Sequence, residues 1–445
     1  MRRWIWILLL CLPSAASADD ILAIPTHPLA DVDSLTAHAG RIIRSIDITG
    51  YKVTKDYIIQ REIRSRVGQP FDPALLRDDI QRLENLSIFA EVKVAAVPTS
   101  DSGVAIAINL REMPPILPMI GVLYTEENGF SVGPGISSMN LGGHAIALSG
   151  RIYFGGAKQA WGRATWPWIT GNHVSVELYT ANLKREDVRN GFNESSVEFT
   201  GKVGTYLGDS GRLTGRLTLF KMRSDVDGIT LSPDNEDKQL SLSVLAGIDT
   251  RDSFRVPRHG WKNEIEVAHT GFLDSDVTLQ TLTVDVRHWL PVARSQRTML
   301  SGLLTMQSGT IFVDVPTYLR YHIGGANSVR GYDVQGPTEA LAGKNQLIGT
   351  VEHAFTVFPV RRFDFFKLSF GLGFEIAALA DAGIAWNTDS EFAIDKVRAG
   401  IGVGLHLLVP GSEMIRLEVA WDGKDEVRFH LASGSKPVAQ RSRNR

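Results

Sequence analysis

The chain has 445 residues, 43% hydrophobic and 22% charged, with 42 Gly, 19 Pro and a single Cys. That composition excludes a disordered chain, a collagen-like repeat and a disulfide scaffold. Its 47 basic and 49 acidic residues leave a net charge of −2, which gives no footing for a nucleic-acid partner.

Residues 1–18 read as a secretory signal peptide: Met1-Arg2-Arg3 is positive, Trp4 to Leu12 is apolar, and Ala16-Ser17-Ala18 is a small-x-small cleavage pattern. The apolar run of about nine residues is too short for the ~20 that a spanning helix needs. The one cysteine, Cys11, leaves with the signal, so the mature chain is expected to carry no disulfide and no thiol chemistry. No later run is apolar enough for a transmembrane helix. If the protein crosses a membrane, it crosses as a closed barrel.

Residues 19–40 are polar and Pro-containing and read as a linker. Residues 41–113 read as a small α+β unit of order β-α-α-β-β. Ile42, Ile46 and Ile48 mark a strand before Gly50. Thr54 can cap a helix with Tyr57, Ile58, Ile59 and Ile63 on its apolar face, and Gly68-Gln69-Pro70 stops it. Asp72-Pro73 opens a second helix that buries Leu75, Leu76, Ile80, Leu83 and Leu86. Two strands follow, 89–97 with Val92 and Val94 alternating inward, and 104–110 with Val104, Ile106 and Ile108. Pro114-Pro115 marks the boundary.

Beyond Ile116 the period changes from helical to strict alternation. Leu213, Leu217 and Leu219 alternate with Arg212, Arg216 and Thr218. Ile401, Val403, Leu405 and Leu407 alternate with glycines and His406, and Leu417 and Val419 face away from Arg416 and Glu418. Segments of ~10 residues with this alternation, separated by turns, are the mark of a transmembrane β-barrel. A soluble sandwich also alternates, but with shorter strands. Residues 116–432 have room for an antiparallel barrel of about sixteen strands. Residues 433–445 form a basic tail.

The longest break in alternation runs from about Val313 to Gly343, and a loop of that length is usually functional or disordered. It carries Val329-Arg330-Gly331-Tyr332. Two later strands place carboxylates on the lumen-facing side, Glu352 and Asp381. A carboxylate inside a barrel needs a partner or water. A loop folded back into the lumen could bring Arg330 to both, and a guanidinium fork can bridge two carboxylates where an ammonium cannot.

On these residues the sequence resembles the outer-membrane β-barrel assembly family, the BamA/TamA-like proteins. Val329 to Tyr332 is similar to that family's [VI]-R-G-[FY] loop motif. Leu379-Ala380-Asp381-Ala382-Gly383 is similar to its F-x-D-x-G strand motif, with Leu379 in the Phe position. Glu352 stands where the family has a strand glutamate, and DTRDSFRVPRHG (249–260) also fits its pattern. Residues 41–113 resemble one POTRA domain through GYKVT (50–54), the segment around Leu83 to Phe89, and the exit at Glu112-Met113-Pro114.

The resemblance implies a fold, a mainly β chain in which one POTRA domain precedes a 16-stranded transmembrane barrel in the bacterial outer membrane. It implies a function, the folding, insertion or translocation of client polypeptides through a seam between Leu117–Tyr124 and Val427–Leu431. It implies a site in which Arg330 is held by Glu352, Asp381 and Gly383. The strand carrying Val92 and Val94 could offer a client-binding edge by β-augmentation, although fold stability explains that strand equally well. The implied partners are unfolded outer-membrane or exported polypeptides, outer-membrane lipid and periplasmic accessory proteins. No cofactor, metal or covalent chemistry is expected. Two other readings stay open: a secretion pore for one exported protein, against which the short, Pro-broken 19–40 segment argues, and a passive barrel, which would need neither the Arg330 loop nor the POTRA unit.

Two motifs are set aside. Gly208-Asp209-Ser210-Gly211 resembles a serine-protease nucleophile segment but is good hairpin chemistry between alternating runs. Arg258-His259-Gly260 resembles a phosphatase motif, but the residues after it depart from that pattern. The 11 histidines show no tight metal-ligand spacing.

Overall fold

The computed structural model of the chain describes residues 35–433, apart from 87, 115, 126–127, 170–173, 189, 209, 253–255, 310–314, 333–341, 366–367, 409–413 and 425–426. The signal 1–18 with Cys11, the linker up to 34, the tail from 434 and parts of the 313–343 loop lie outside the described residues.

The first unit holds β1 (Ile43–Thr49), α1 (Asp56–Gln60), α2 (Pro73–Asn85), β2 (Phe89–Pro98) and β3 (Val104–Glu112). Its sheet runs β1-β3-β2, with β1 parallel and β2 antiparallel to β3. The alternating side chains of β3 meet Ile58, Ile59, Leu76 and Leu83 from the helices in one core. Leu35 is buried in the same core, so packing starts upstream of residue 41. Asp72 caps α2 by accepting from the Ala74 amide at 2.8 Å, with Pro73 in the first turn.

The first helix departs from the periodicity reading. It spans five residues, Lys55 is its N-cap, and Tyr57 is exposed. Thr54 is not the cap because its hydroxyl donates to Glu112, whose carboxylate also takes the amides of Lys52, Val53 and Thr54. That carboxylate, from the far end of β3, fixes the backbone that leads into the helix and leaves the helix without a side-chain cap.

Sixteen strands follow: β4 (Leu117–Thr125), β5 (Gly129–Leu141), β6 (Ile146–Gly155), β7 (Lys158–Trp166), β8 (Ser175–Asp187), β9 (Phe192–Leu207), β10 (Gly211–Ser224), β11 (Glu236–Asp249), β12 (Gly260–Thr270), β13 (Leu279–Ala293) and β14 (Gln296–Gly309), then, after the short pair β15 (Tyr321–His322) and β16 (Ala342–Gly343), β17 (Asn345–Phe365), β18 (Leu368–Trp386), β19 (Arg398–Leu408), β20 (Ile415–Trp421) and β21 (Val427–Ser433). They form one antiparallel sheet in sequence order, with β17 beside β14. Leu207 at the end of β9 stands opposite Gly211 at the start of β10, as a hairpin requires.

The side-chain pattern decides between sandwich and barrel. Along β13, Thr281, Thr283, Asp285 and Arg287 are 2–7% exposed, while Val286 is 39% exposed. Polar residues line the inside and apolar ones face out, an inversion that is stable only where the outer solvent is lipid. The sheet curls until β4 and β21 lie side by side. Among the described residues no backbone ladder joins them. No described helix is long and apolar enough to cross a membrane.

The α+β unit is docked on the barrel's first turns. The Lys55 amide donates to the Gly143 carbonyl at 2.9 Å, and Asn140 donates to the Thr54 hydroxyl at 2.8 Å. The Tyr57 hydroxyl meets Nδ1 of His144 at 2.8 Å, and the Arg61 guanidinium lies 4.3 Å from the ring centroid of Trp168. Gly143 has φ +81° and leaves no room for a side chain, since a Cβ there would stand 1.9 Å from the Val53 carbonyl oxygen.

Candidate functional site

The connection between β14 and β17 turns back into the lumen. It is held at two depths. Near the outer mouth, the Tyr318 hydroxyl donates to Asp237 at 2.6 Å and accepts from Gln239 at 2.8 Å, over an apolar cluster with Val315, Leu319 and Phe220. Deeper in, Val329 packs with Ile323 and Ile348 and delivers Arg330, which is wholly buried.

Arg330 uses its fork fully. Its Nε donates to Asp381 Oδ2 at 2.7 Å and Nη2 donates to Asp381 Oδ1 at 3.0 Å. The Arg330 amide also reaches Asp381, at 3.1 Å, and Nη1 donates to Glu418 at 2.8 Å. Glu352 stands further off, at 3.5 Å from Nη1. Thr350 also donates to Asp381, at 2.7 Å. A bidentate pair with a further charged acceptor offsets the desolvation that burial imposes on each ion.

Of the residues named from the sequence, Val329, Arg330, Tyr332, Glu352 and Asp381 are thus brought together. Gly383 is a correction. It does not touch the guanidinium; it makes room for Val329, whose Cγ2 would lie 2.8 Å from a Cβ at that position. Gly331, at φ +99°, donates its amide to Nε2 of His430 at 3.1 Å. The Tyr332 hydroxyl stands 3.3 Å from the carbonyl oxygens of both Ala399 and Asp422, which share its one proton. Val92 and Val94 lie elsewhere. Both are buried in the α+β core, so an edge on β2 would offer its backbone rather than these side chains.

Glu418, Arg416, His406 and His430 were not singled out from the sequence. Arg416 reaches from β20 to the loop, donating to the Ala326 carbonyl at 3.3 Å and to Asn327 at 2.5 Å, and it shares Glu418 with Arg330. His406 Nε2 lies 3.2 Å from Glu418, and its Nδ1 is 3.9 Å from Glu352. Glu352, His406 and Glu418 offer ligating atoms within 4.8 Å of one another, but the cation already between the two carboxylates is the Arg330 guanidinium. The signal for all four was their inward position in the last three strands, where the alternation already separated Arg416 and Glu418 from the lipid face.

The loop therefore ties β17, β18, β19, β20 and β21 into one unit. On the other side of the seam, β5 is tied to the α+β unit through Asn140 and Gly143.

Known proteins carry both parts. Residues 140–436 match the Omp85 superfamily domain, and residues 42–113 match the POTRA family described as a surface antigen variable number repeat. The chain is 24% identical over 409 residues to the outer membrane protein assembly factor BamA of Nitratidesulfovibrio vulgaris, covering 88% of this chain and 51% of that protein. It is also 24% identical over 404 residues to the protein of the same name from Neorickettsia risticii, covering 85% and 52%. It spans about half the length of these relatives. Among solved structures, BamA from Haemophilus ducreyi lacking POTRA domains 1–3 superposes with a TM-score of 0.56 at 17% identity, over 88% of this chain and 83% of that one. CdiB from Escherichia coli gives 0.59 at 14% identity, over 89% and 74%. At such identities the likeness speaks to the fold.

Proposed function

The chain belongs to the Omp85 superfamily, and on that premise we propose that it is an outer-membrane factor that folds or inserts client polypeptides through the seam between β4 and β21, with its POTRA domain in the periplasm. The observation that carries this reading is the seam: two strands meet with no ladder between them among the described residues. A client strand in lipid has unpaired amides and carbonyls that hydrocarbon cannot satisfy. Strands whose own pairing is incomplete offer those groups a partner. The clasp supports the same reading, because a loop anchored by Arg330 braces the C-terminal strands while the seam moves. The free edge of β2 supports a second, periplasmic contact with extended clients.

A passive barrel gives no reason for a loop that carries a buried arginine to carboxylates on the inner wall. A pore for one exported protein remains the competing activity. Depletion of the protein, with quantitation of other outer-membrane proteins, separates them. The assembly reading expects a broad fall in outer-membrane barrels. Loss of a single exported protein with unchanged barrel levels would overturn it.

A further inference from the structure

One hairpin of the barrel outruns its neighbours. The last rung between β14 and β17 joins Gln296 to Phe355, and the last between β18 and β19 joins Gly373 to Leu408. Beyond both, β17 and β18 go on pairing with each other, through Arg361 with Leu372, Phe363 with Phe370 and Phe365 with Leu368. Among the described residues no other strand pairs with this ribbon. Counted along β18, residues 368–372 carry it about 17 Å past the sheet. β17 runs in the same sense as β5, whose final turn at Gly143 holds the POTRA domain, so the ribbon leaves the barrel at the periplasmic end. Two extra residues in β17, one between Thr356 and Phe358 and one between Phe358 and Arg361, interrupt the ladder there. Pro359, which has no amide to give to a ladder, lies in the second interruption. Bulges bend the strand that carries them, and here the bend falls where the ribbon leaves the sheet.

The ribbon has two unlike faces. In β18, Leu368, Phe370 and Leu372 alternate in phase with Phe374 and with Ile376, which is exposed on the lipid side. Their partners in register are Phe365, Phe363 and Arg361. The opposite face takes Ser369 and Gly371, paired with Asp364 and Arg362. The apolar face therefore continues the barrel's lipid face past the point where the other strands stop. At the rim the rings of Phe358 and Phe374 stack with centroids 5.7 Å apart, and the exposed Arg361 guanidinium lies 5.2 Å from the Phe358 centroid. We infer that this ribbon is a membrane-contact element: its apolar face rests on the phospholipid of the periplasmic leaflet, at the boundary of headgroups and acyl chains, and Arg361 meets an anionic lipid phosphate. Hydrocarbon cannot satisfy the two free edges of the ribbon, which excludes full immersion. Lying face down at the boundary covers the apolar face and leaves both edges within reach of headgroups and water. A polypeptide strand added to one edge would satisfy its backbone but leave the apolar face uncovered. Continuity with the lipid face thus favours lipid, and the inference does not depend on the seam.

The test uses the full chain with Cys11→Ser, folded in phospholipid vesicles, and one NBD fluorophore on a single cysteine. Phe370→Cys and Leu368→Cys place the label on the apolar face, and Ser369→Cys places it on the other. Gel mobility selects the folded barrels. Lipids brominated on their acyl chains should quench the labels at 370 and 368 and spare the label at 369. Quenching should be stronger in vesicles containing phosphatidylglycerol than in phosphatidylcholine alone. Arg361→Gln should lower the ratio of lipid-bound to free ribbon about fivefold in the phosphatidylglycerol vesicles and leave it unchanged in phosphatidylcholine. Equal quenching at 369 and 370, or none at either, overturns the inference. So does a label at 370 that lipid leaves unquenched and that shifts to the blue only when an unfolded copy of this chain is added, because the ribbon is then a polypeptide site. An Arg361→Gln effect of equal size in both lipids overturns the phosphate contact.

Discussion

Replacing Arg330 with Ala removes the residue that, among those described, reaches all three carboxylates of the clasp. Asp381 and Glu418 are each 0% exposed at the side chain and Glu352 is 12% exposed, so three negative charges would lose the guanidinium they share, while Arg416 still reaches Glu418. Breaking a buried pair by deleting one partner costs about 3–5 kcal/mol, roughly two to four orders of magnitude in the folded-to-unfolded ratio. Arg330→Lys keeps the charge but loses the fork that holds both oxygens of Asp381, and is expected to cost about 1–3 kcal/mol. Adding Asp381→Asn to Arg330→Ala removes one stranded charge, so the double variant should be less unstable than the two single costs combined. The assay is urea titration of barrel folding in vesicles, followed by tryptophan fluorescence and by the gel mobility of the folded form. A cost below about 1 kcal/mol for Arg330→Ala, the value of an exposed pair, would refute the clasp.

Other expectations follow from the packing. A side chain at Gly400 would stand 1.9 Å from the Arg330 carbonyl oxygen, so Gly400→Ala should destabilise the barrel and increase proteolysis of the lumen loop; an unchanged digestion pattern counts against the packing described. Gly143→Ala should lift the POTRA domain off the barrel, read as faster hydrogen exchange at Lys55 and Thr54, and protection equal to the native chain would contradict the docking. Glu112 responds to pH. Burial pushes its carboxyl up, but the Thr54 hydroxyl and the amides of Thr54, Val53 and Lys52 outweigh that and hold it below the usual range. A depressed folded value adds stability above the unfolded value, about 4.3, and that stability is lost as pH falls through the folded one. POTRA exchange should therefore rise below about pH 4 in the native chain, and Glu112→Gln should flatten that dependence.

Much of this fold was legible because a barrel writes its environment into a period of two. Alternation in β10 and β19 identified strands and their lipid face without any tertiary information. The loop stood out as the place where alternation failed. Arg330 and Asp381 were linked because a buried carboxylate demands a cation. What alternation does not carry is height within the lumen. Glu352, Glu418 and Arg416 all read as inward, but which of them meet the loop depends on strand tilt and register accumulated over the sheet. Glu418 proves the closer partner, at 2.8 Å against 3.5 Å for Glu352. The first POTRA helix was overestimated for a related reason. The group that takes the Thr54 hydroxyl, Glu112, lies 58 residues from Thr54 in the chain, where no local pattern can reveal it. Gly383 was placed with the ion pair because it shares a motif with Asp381, whereas its role is steric.

The measurement that bears most directly on the proposed activity is a reversible lock on the seam. One cysteine in β4 and one in β21, in a Cys11→Ser background, are oxidised in cells that depend on this chain. The expected result is that assembly of other outer-membrane barrels stops in the oxidised state and resumes on reduction. Assembly at native levels with β4 and β21 covalently joined would contradict the account.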